Sequence, residues 1–447
     1  MTERKDQWSS KIGFILASAG AAVGLGAIWK FPYVTGMSGG GAFFLIFVLF
    51  TLLIGLPLLI SEFIIGRGAR AEAVTAYKKL APNSMWVWVG RFGVLGCFLL
   101  LSFYSVVGGW VFIYSIMSIF GQVIGEGKDY GELFGFITSS PWVTLLGLLL
   151  FTAVNVLVIS SGIRDGIERA NRYLMPLLFL FFIIIVIRSL TLDGAMEGVT
   201  FFLAPDFSKI TGESLLYALG QSFFSLAVGF SCLVTYSSYL KKEVDLLSSA
   251  SSVVGMNIFV SLLAGLAIFP VVFAFGYEPA EGPGLLFMVL PAVFSELPFG
   301  QLFLSLFLLL FLFATLTSSF SLYEIIVAAF TTNKKRSRQR VTWIAGIIIF
   351  IAAIPSALSS GVLAGVEVFE KNIFDATDYL VSNIMLPVGS LLIALFIVHK
   401  MDKKLVEEEF LINRKEQFPL YQGWRFLMAL VVPLTIVIVF LHTIGMI

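Results

Sequence analysis

Cysteine and histidine are nearly missing from this sequence. Its 447 residues include two of each, Cys97 and Cys232, His399 and His442. The cysteines sit far apart in apolar runs, so no disulfide framework is expected. Two histidines are too few for most histidine-built metal sites. Charge is scarce as well. Only 13% of residues are Asp, Glu, Lys or Arg, about half the share in a soluble domain. Those charges nearly cancel at +1, which removes the electrostatic basis for nucleic-acid binding. With 58% hydrophobic residues, neither an ordinary soluble domain nor a disordered chain fits. The 41 Gly and 15 Pro are scattered without a short period, which excludes a collagen-like repeat.

What is present is a series of long apolar runs. A span needs roughly 20 apolar residues to cross the hydrocarbon core. About eleven runs qualify, near 11–37, 41–66, 88–119, 141–160, 168–188, 213–240, 247–276, 300–331, 341–355, 374–399 and 424–444. Pro355 cuts the ninth short, and the longest loops hold about 20 residues, too few for a separate soluble domain. No cleavable signal peptide is evident, because the first run ends in Phe31-Pro32-Tyr33 and not in a small-residue cleavage site. With the N-terminus inside, 24 of the 29 Lys and Arg fall on the inner side, so the positive-inside rule predicts a cytoplasmic N-terminus. An odd number of spans then puts the C-terminus outside. The run Lys334-Lys335-Arg336-Ser337-Arg338-Gln339-Arg340 reads as an inner-loop anchor.

Two runs are interrupted by their own residues. The first carries Gly20, Gly24 and Gly26 at mid-membrane depth. Each glycine weakens a helix by about 1 kcal/mol relative to alanine. Close helix packing through the Gly20–Gly24 spacing is the alternative reading. The sixth run has a similar lesion across Phe223-Phe224-Ser225-Leu226-Ala227-Val228-Gly229-Phe230-Ser231. Runs one and six each open a set of five, and paired interruptions at corresponding places point to a transporter built on inverted repeats. Half-helix ends present free N–H groups to anions and free carbonyls to cations, so a zwitterion fits there without a charged side chain. A hard alkali cation prefers oxygen donors, and the eighth run clusters four hydroxyls in Thr315, Thr317, Ser318 and Ser319.

These residues resemble a known family, the neurotransmitter:sodium symporters. The resemblance rests on Gly24-Leu25-Gly26-Ala27-Ile28-Trp29-Lys30-Phe31-Pro32-Tyr33 and Gly39-Gly40-Gly41-Ala42-Phe43 in the first part of the chain. Pro57, Glu62 and Gly66-Arg67 match the second helix. Gln221-Ser222-Phe223-Phe224-Ser225 and Tyr236-Ser237-Ser238-Tyr239 match the sixth, Thr317-Ser318-Ser319 with Glu324 the eighth, and Asp375-Ala376-Thr377-Asp378 the tenth. The resemblance implies an all-α integral membrane protein of the LeuT fold. It would form one transporter domain over 1–447, with a 5+5 inverted repeat in halves 11–188 and 213–399. One further helix, 424–444, completes it, and helices one and six are unwound at the midplane.

Carried over residue by residue, the resemblance implies two sodium sites. One would use carbonyls of Gly20, Val23 and Ala314 with hydroxyls of Thr317 and Ser318. The other would use Ala22, Ser225, Asn257 and the substrate's own carboxylate. That carboxylate would also meet the N–H groups of Leu25 and Gly26 and the Tyr104 hydroxyl. The substrate amine would face carbonyls of Ala21, Phe224, Ser225 and Ala227. Leu100, Phe230 and Leu322 would shape the side-chain pocket under a Phe224–Tyr104 lid. Lys30 and Asp378 would form an outer gate, and Lys5 and Trp8 would serve the inner mouth. Gly166 and Pro176 fit a glycine-x9-proline pattern linked to unwinding of helix five during inward release. Glu62 and Glu324, costly in a bilayer, are read as structural hydrogen-bonding groups.

The departures from the family pattern shape the expectation. Ala27 replaces an amide ligand of the first sodium site. Phe47 replaces a tyrosine, which weakens the case for chloride although Ser261 permits it. Thr332 replaces the acidic partner expected for Lys5. Gly24 stands where monoamine carriers have an Asp, leaving room for a substrate carboxylate and so for an amino acid. Apolar pocket walls favour an apolar side chain at ~25 cal/mol per Å² and leave a polar one unpaired. The expected partners are a hydrophobic L-amino acid (Leu, Ile, Val, Met, Phe, Tyr or Trp) and the lipid bilayer, with no nucleic acid. The oligomeric state is not legible. The alternatives are a proton-coupled permease of similar fold, a channel, or a transport-inactive receptor. No enzyme is expected, because no nucleophile–base set is present.

Overall fold

The computed structural model describes residues 7–277, 284–331, 337–412, 416 and 418–443. Helices account for most of them. Lipid offers a peptide group no partner, so a chain of this composition satisfies its backbone within helices. Among the described residues, nine helices are long and apolar enough to cross a bilayer: Gly41–Ala69, Val87–Ile119, Pro141–Ser160, Ile163–Leu190, Leu246–Ala274, Gly300–Thr331, Arg338–Ala357, Ile373–His399 and Phe418–His442. Lys11–Ala22 and Gly26–Met37 form a further candidate, a pair bent by 50°. The sixth run is two shorter helices, Gly212–Leu226 and Cys232–Ser238, separated by residues 227–231.

Val87–Ile119 and Gly300–Thr331 pack along each other at the centre, and most of their side chains are buried. Phe418–His442 lies at the periphery, with Leu430, Leu434 and Ile438 exposed. Exposed Leu149, Leu157, Ile183, Ile187, Ile344 and Ile351 give the outer helices an apolar face, as contact with lipid requires. The loops carry short helices of their own, Tyr130–Ser139, Ala195–Leu203, Leu285–Ser295 and Lys403–Leu411. A two-residue hairpin pairs Glu367–Val368 with Lys371–Asn372.

Two local expectations change, at Pro355 and at Arg338. Pro355 does not cut the ninth run short, because the helix continues to Ala357; a proline in the last turn removes only one ladder bond. In this conformation the segment from Gly166 to Pro176, whose unwinding is expected only during inward release, is wound, with a π-helical turn over Ile163–Glu168 followed by α-helix through Pro176. Arg338, read as part of a loop anchor, reaches Glu324 as an ion pair, and the Tyr239 hydroxyl donates to the same carboxylate at 2.8 Å.

Both breaks are held by buried side chains. The first helix starts on Ser10, whose hydroxyl accepts from Gly13 N–H at 2.9 Å. It stops at Ala22, and Val23 leaves helical geometry with φ −90° and ψ 83°. In the second break Ala227, Gly229 and Ser231 have φ of 53°, 108° and 60°, a region only glycine enters without strain. The Glu62 carboxylate accepts from Gly229, Leu233 and Val234 N–H at 2.8, 3.1 and 3.3 Å. The N–H groups of Leu233 and Val234 are orphan donors at the start of Cys232–Ser238, and that of Gly229 belongs to the break itself. Gln221 Nε2 donates to Gly26 O at 2.6 Å, tying the two breaks together.

Removing the Glu62 acceptor strands those buried donors, at about 1–3 kcal/mol each. Glu62→Ala is therefore expected to lower the melting temperature in detergent sharply, and Glu62→Gln to lower it less. Equal melting of Glu62→Ala and the parent would contradict the capping role.

Candidate functional site

The two breaks face each other across a small enclosed cavity. Ala22, Gly24, Leu25 and Gly26 line it from the first break, and Phe224, Ala227, Phe230 and Cys232 from the second. Leu100 and Tyr104 come from Val87–Ile119, Ser318 and Leu322 from Gly300–Thr331, and Leu386 from the middle of the tenth run. None of these residues is charged. The cavity volume is about 20 Å³, roughly room for one water. Anything larger enters only when side chains move.

Gly24 makes this junction possible. A Cβ there would lie 2.6 Å from both Cβ and Oγ of Ser318 and 2.8 Å from the Tyr104 hydroxyl. Without one, the broken backbone reaches both neighbours. The Tyr104 hydroxyl accepts from Leu25 N–H at 3.4 Å and donates to Thr315 O at 3.3 Å. Ser318 Oγ donates to Ala21 O at 2.9 Å. Above the cavity, Lys30 Nζ stands 4.9 Å from the centre of the Phe224 ring and 3.7 Å from Asp378 Oδ2. The lid and outer-gate residues named from the sequence are thus stacked in one column.

The residues named for the two cation sites also assemble. Asn257 Nδ2 donates to Ser225 O at 2.9 Å and to Ala22 O at 3.3 Å, and its Oδ1 accepts from Ser225 Oγ at 3.3 Å. Ala27 lies fully buried and contributes no donor atom from its side chain. Across the first helix, Thr317 Oγ1 donates to Ala314 O at 3.1 Å, and Thr317 Cβ lies 3.0 Å from where a Cβ on Gly20 would stand. Val23 is buried at the same turn. Among the described residues no cluster of three or more Asp, Glu, His or Cys is placed to hold a metal. A cation bound here would rely on neutral oxygens. Of the residues bearing on chloride, Phe47 packs on Phe31 with ring centres 5.0 Å apart, and Ser261 Oγ is buried without a partner.

At the inner end, Trp8 is buried among Phe14, Tyr236 and Tyr239, and its indole N–H donates to Tyr236 O at 2.8 Å. Lys5 and Thr332 lie outside the described residues. The neighbouring Ser9 is held instead by Glu168, which accepts from Ser9 N–H at 2.8 Å and from its hydroxyl. Glu168 was not singled out from the sequence, although a carboxylate inside a span is a signal for it. Cys232 and Leu386 are further lining residues that pattern alone did not reveal. Cys97 and Cys232 are both free, and although 135 positions apart in sequence their sulfurs lie 3.2 Å from each other. Helix packing brings them together, which sequence distance does not report.

The comparisons with known proteins agree with this geometry. The chain matches the model of the Sodium:neurotransmitter symporter family over residues 5–124 and 139–447. It is 54% identical to the sodium-dependent transporter YhdH of Bacillus subtilis, over 100% of this chain and 99% of that protein. A sodium-dependent transporter of Haemophilus influenzae is 38% identical, with 98% of each chain covered. The crystal structure of MhsT in complex with L-phenylalanine superposes with a TM-score of 0.92 at 40% identity, covering 98% of this chain and 100% of that one. With the family model matched along nearly the whole length and a relative more than half identical from end to end, the chain belongs to the sodium:neurotransmitter symporters; it has their LeuT fold and is a multi-pass, sodium-dependent membrane transporter, not an enzyme.

Proposed function

We propose that this protein couples the sodium gradient to the uptake of hydrophobic, neutral L-amino acids by alternating access. The observation that carries the reading is the cavity between the two breaks, bounded by peptide backbone on two sides and elsewhere by mostly apolar side chains with the hydroxyls of Tyr104 and Ser318. The L-phenylalanine held by MhsT supports the same substrate class for this chain.

In this reading the substrate carboxylate sits against Leu25 and Gly26 N–H and the Tyr104 hydroxyl, and the amine against carbonyls of Ala21, Phe224, Ser225 and Ala227. Leu100, Phe230, Leu322, Leu386 and Cys232 surround the side chain. Burying a Leu- or Phe-sized group there contributes about 1.5–3 kcal/mol, roughly a 10- to 150-fold gain in affinity. A charged side chain would lose its hydration with no partner. Two sodium ions complete the site. One sits among Ala22, Ser225, Asn257 and the bound carboxylate, the other among Gly20, Val23, Ala314, Thr317 and Ser318. Because the carboxylate ligates the first ion, sodium and substrate raise each other's affinity by one common factor.

The cycle follows from what holds the cavity shut. Outside, Lys30–Asp378 and the Phe224 ring open to admit the amino acid and close over it. Inside, the Trp8 plug and the Ser9–Glu168 contact release, with the helix between Gly166 and Pro176 unwinding to open the inner route. The positive-inside distribution sets the N-terminus in the cytoplasm and the C-terminus outside. Phe47 offers chloride no donor, so the reading includes no chloride requirement.

Reconstituted vesicles with an inward sodium gradient are expected to accumulate labelled leucine and tryptophan, and to exclude glutamate. Uptake that persists when choline replaces sodium would overturn the coupling, and accumulation of glutamate would overturn the substrate class. In the same assay, Thr317→Ala combined with Ser318→Ala is expected to abolish sodium-driven leucine uptake while the protein still reaches the membrane. Unchanged uptake would remove the second ion from the account.

A further inference from the structure

One amide of the fifth helix lies beside the second proposed sodium site and has no role assigned to it there. Asn171 lies in Arg169–Leu190 and is fully buried. Its Nδ2 donates to Ile167 O at 2.9 Å. A carbonyl accepts only from a donor, so this bond fixes which end of the amide is which. The oxygen therefore points the other way, and it has no hydrogen-bond partner. Leaving a buried amide oxygen unpaired costs about 1–3 kcal/mol, which is a reason to ask what it faces. It faces Gly20: the Asn171 oxygen stands 2.2 Å from where a Cβ on Gly20 would sit, and Thr317 Cβ stands 3.0 Å from the same point. Asn171 and Thr317 thus flank one glycine, from two different helices.

We propose that the Asn171 carboxamide oxygen is an additional ligand for the cation held at Gly20, Val23, Ala314, Thr317 and Ser318. This rests on the sodium site given in the proposed function and deepens it. A neutral amide oxygen is the donor type a hard alkali cation takes, and its approach is open only because residue 20 lacks a side chain. The assignment also gives the ion a mechanical task. Three positions before Asn171, Glu168 grips Ser9 at the start of the first helix, and Asn171 meets Gly20 near that helix's inner break. With the ion bound, the fifth helix clamps the inner half of the first helix at both ends. Loss of the ion frees one of the two clamps, and the inner route opens from there.

The test measures sodium binding without amino acid. Purified protein is titrated with NaCl against choline chloride at constant ionic strength, and sodium-dependent thermal stabilisation gives the half-saturating concentration. Asn171→Leu, similar in volume, is expected to raise that concentration by at least about tenfold, the usual scale for losing a metal-site partner. Asn171→Asp, which adds charge to the same oxygen, is expected to lower it about threefold or more. A purely structural amide would lower stability at every sodium concentration without moving the half-saturation point, and that result overturns the proposal. If Asn171→Leu does not fold, Asn171→Asp decides: an unchanged or raised half-saturation overturns it. Thr317→Ala is the control that separates the two levels. A shift with Thr317→Ala but none with Asn171→Leu rejects the amide ligand alone, whereas no shift with either rejects the site itself.

Discussion

A peptide group in hydrocarbon has no water to bond, and every feature of this protein answers to that constraint. The long apolar helices satisfy it by closing their own ladders. The two places where the ladder opens, after Ala22 and across residues 227–231, are tolerated only because other groups take over. Glu62 accepts three of the freed N–H groups, Gln221 donates to Gly26 O, and Asn257 donates to carbonyls on both breaks. What remains facing the cavity, around Gly24, Leu25, Gly26 and Ala227, is opened backbone together with the Tyr104 and Ser318 side chains. The function follows from that remainder.

The same economy explains why so few charged residues are needed. In the proposed function a zwitterion and small cations are matched by partial charges at helix ends, which cost little to bury compared with full charges. Of the full charges inside, Glu324 is paired with Arg338, Arg67 with Glu409 and Lys30 with Asp378, while the Glu62 carboxylate is held by backbone N–H groups. These pairs sit above and below the cavity and leave its lining neutral. An apolar side chain can then be held by burial, while its amino and carboxyl groups are held by backbone.

Much of this was legible in the chain. Hydropathy located the long helices, because a span of fixed length leaves a long unbroken run. Glycines at 20, 24, 26 and 229 located the weak points, because their cost is local. The motif around Gly24–Tyr33 pointed to the family that the comparisons show. What remained hidden was tertiary. Nothing in sequence spacing places Cys97 beside Cys232, adds Leu386 to the cavity wall, or turns Arg338 toward Glu324. Glu168 and Asn171 were visible as polar residues inside a span, but their partners on the first helix were not. Pro355 misled because a proline in a last turn looks, in sequence, like one that ends a helix earlier.

The central claim is that bare backbone at the two breaks recognises both ends of an amino acid. Competition binding to the purified protein in sodium tests it most directly, with leucine compared against 3-methylbutylamine, which lacks the carboxylate, and 4-methylpentanoate, which lacks the amine. The account predicts that each analogue binds at least about 100-fold more weakly than leucine, since each leaves charge-assisted hydrogen bonds unmade. If either analogue displaces labelled leucine at concentrations close to those of leucine itself, the side-chain pocket alone governs binding, and the role assigned to the broken helices is contradicted.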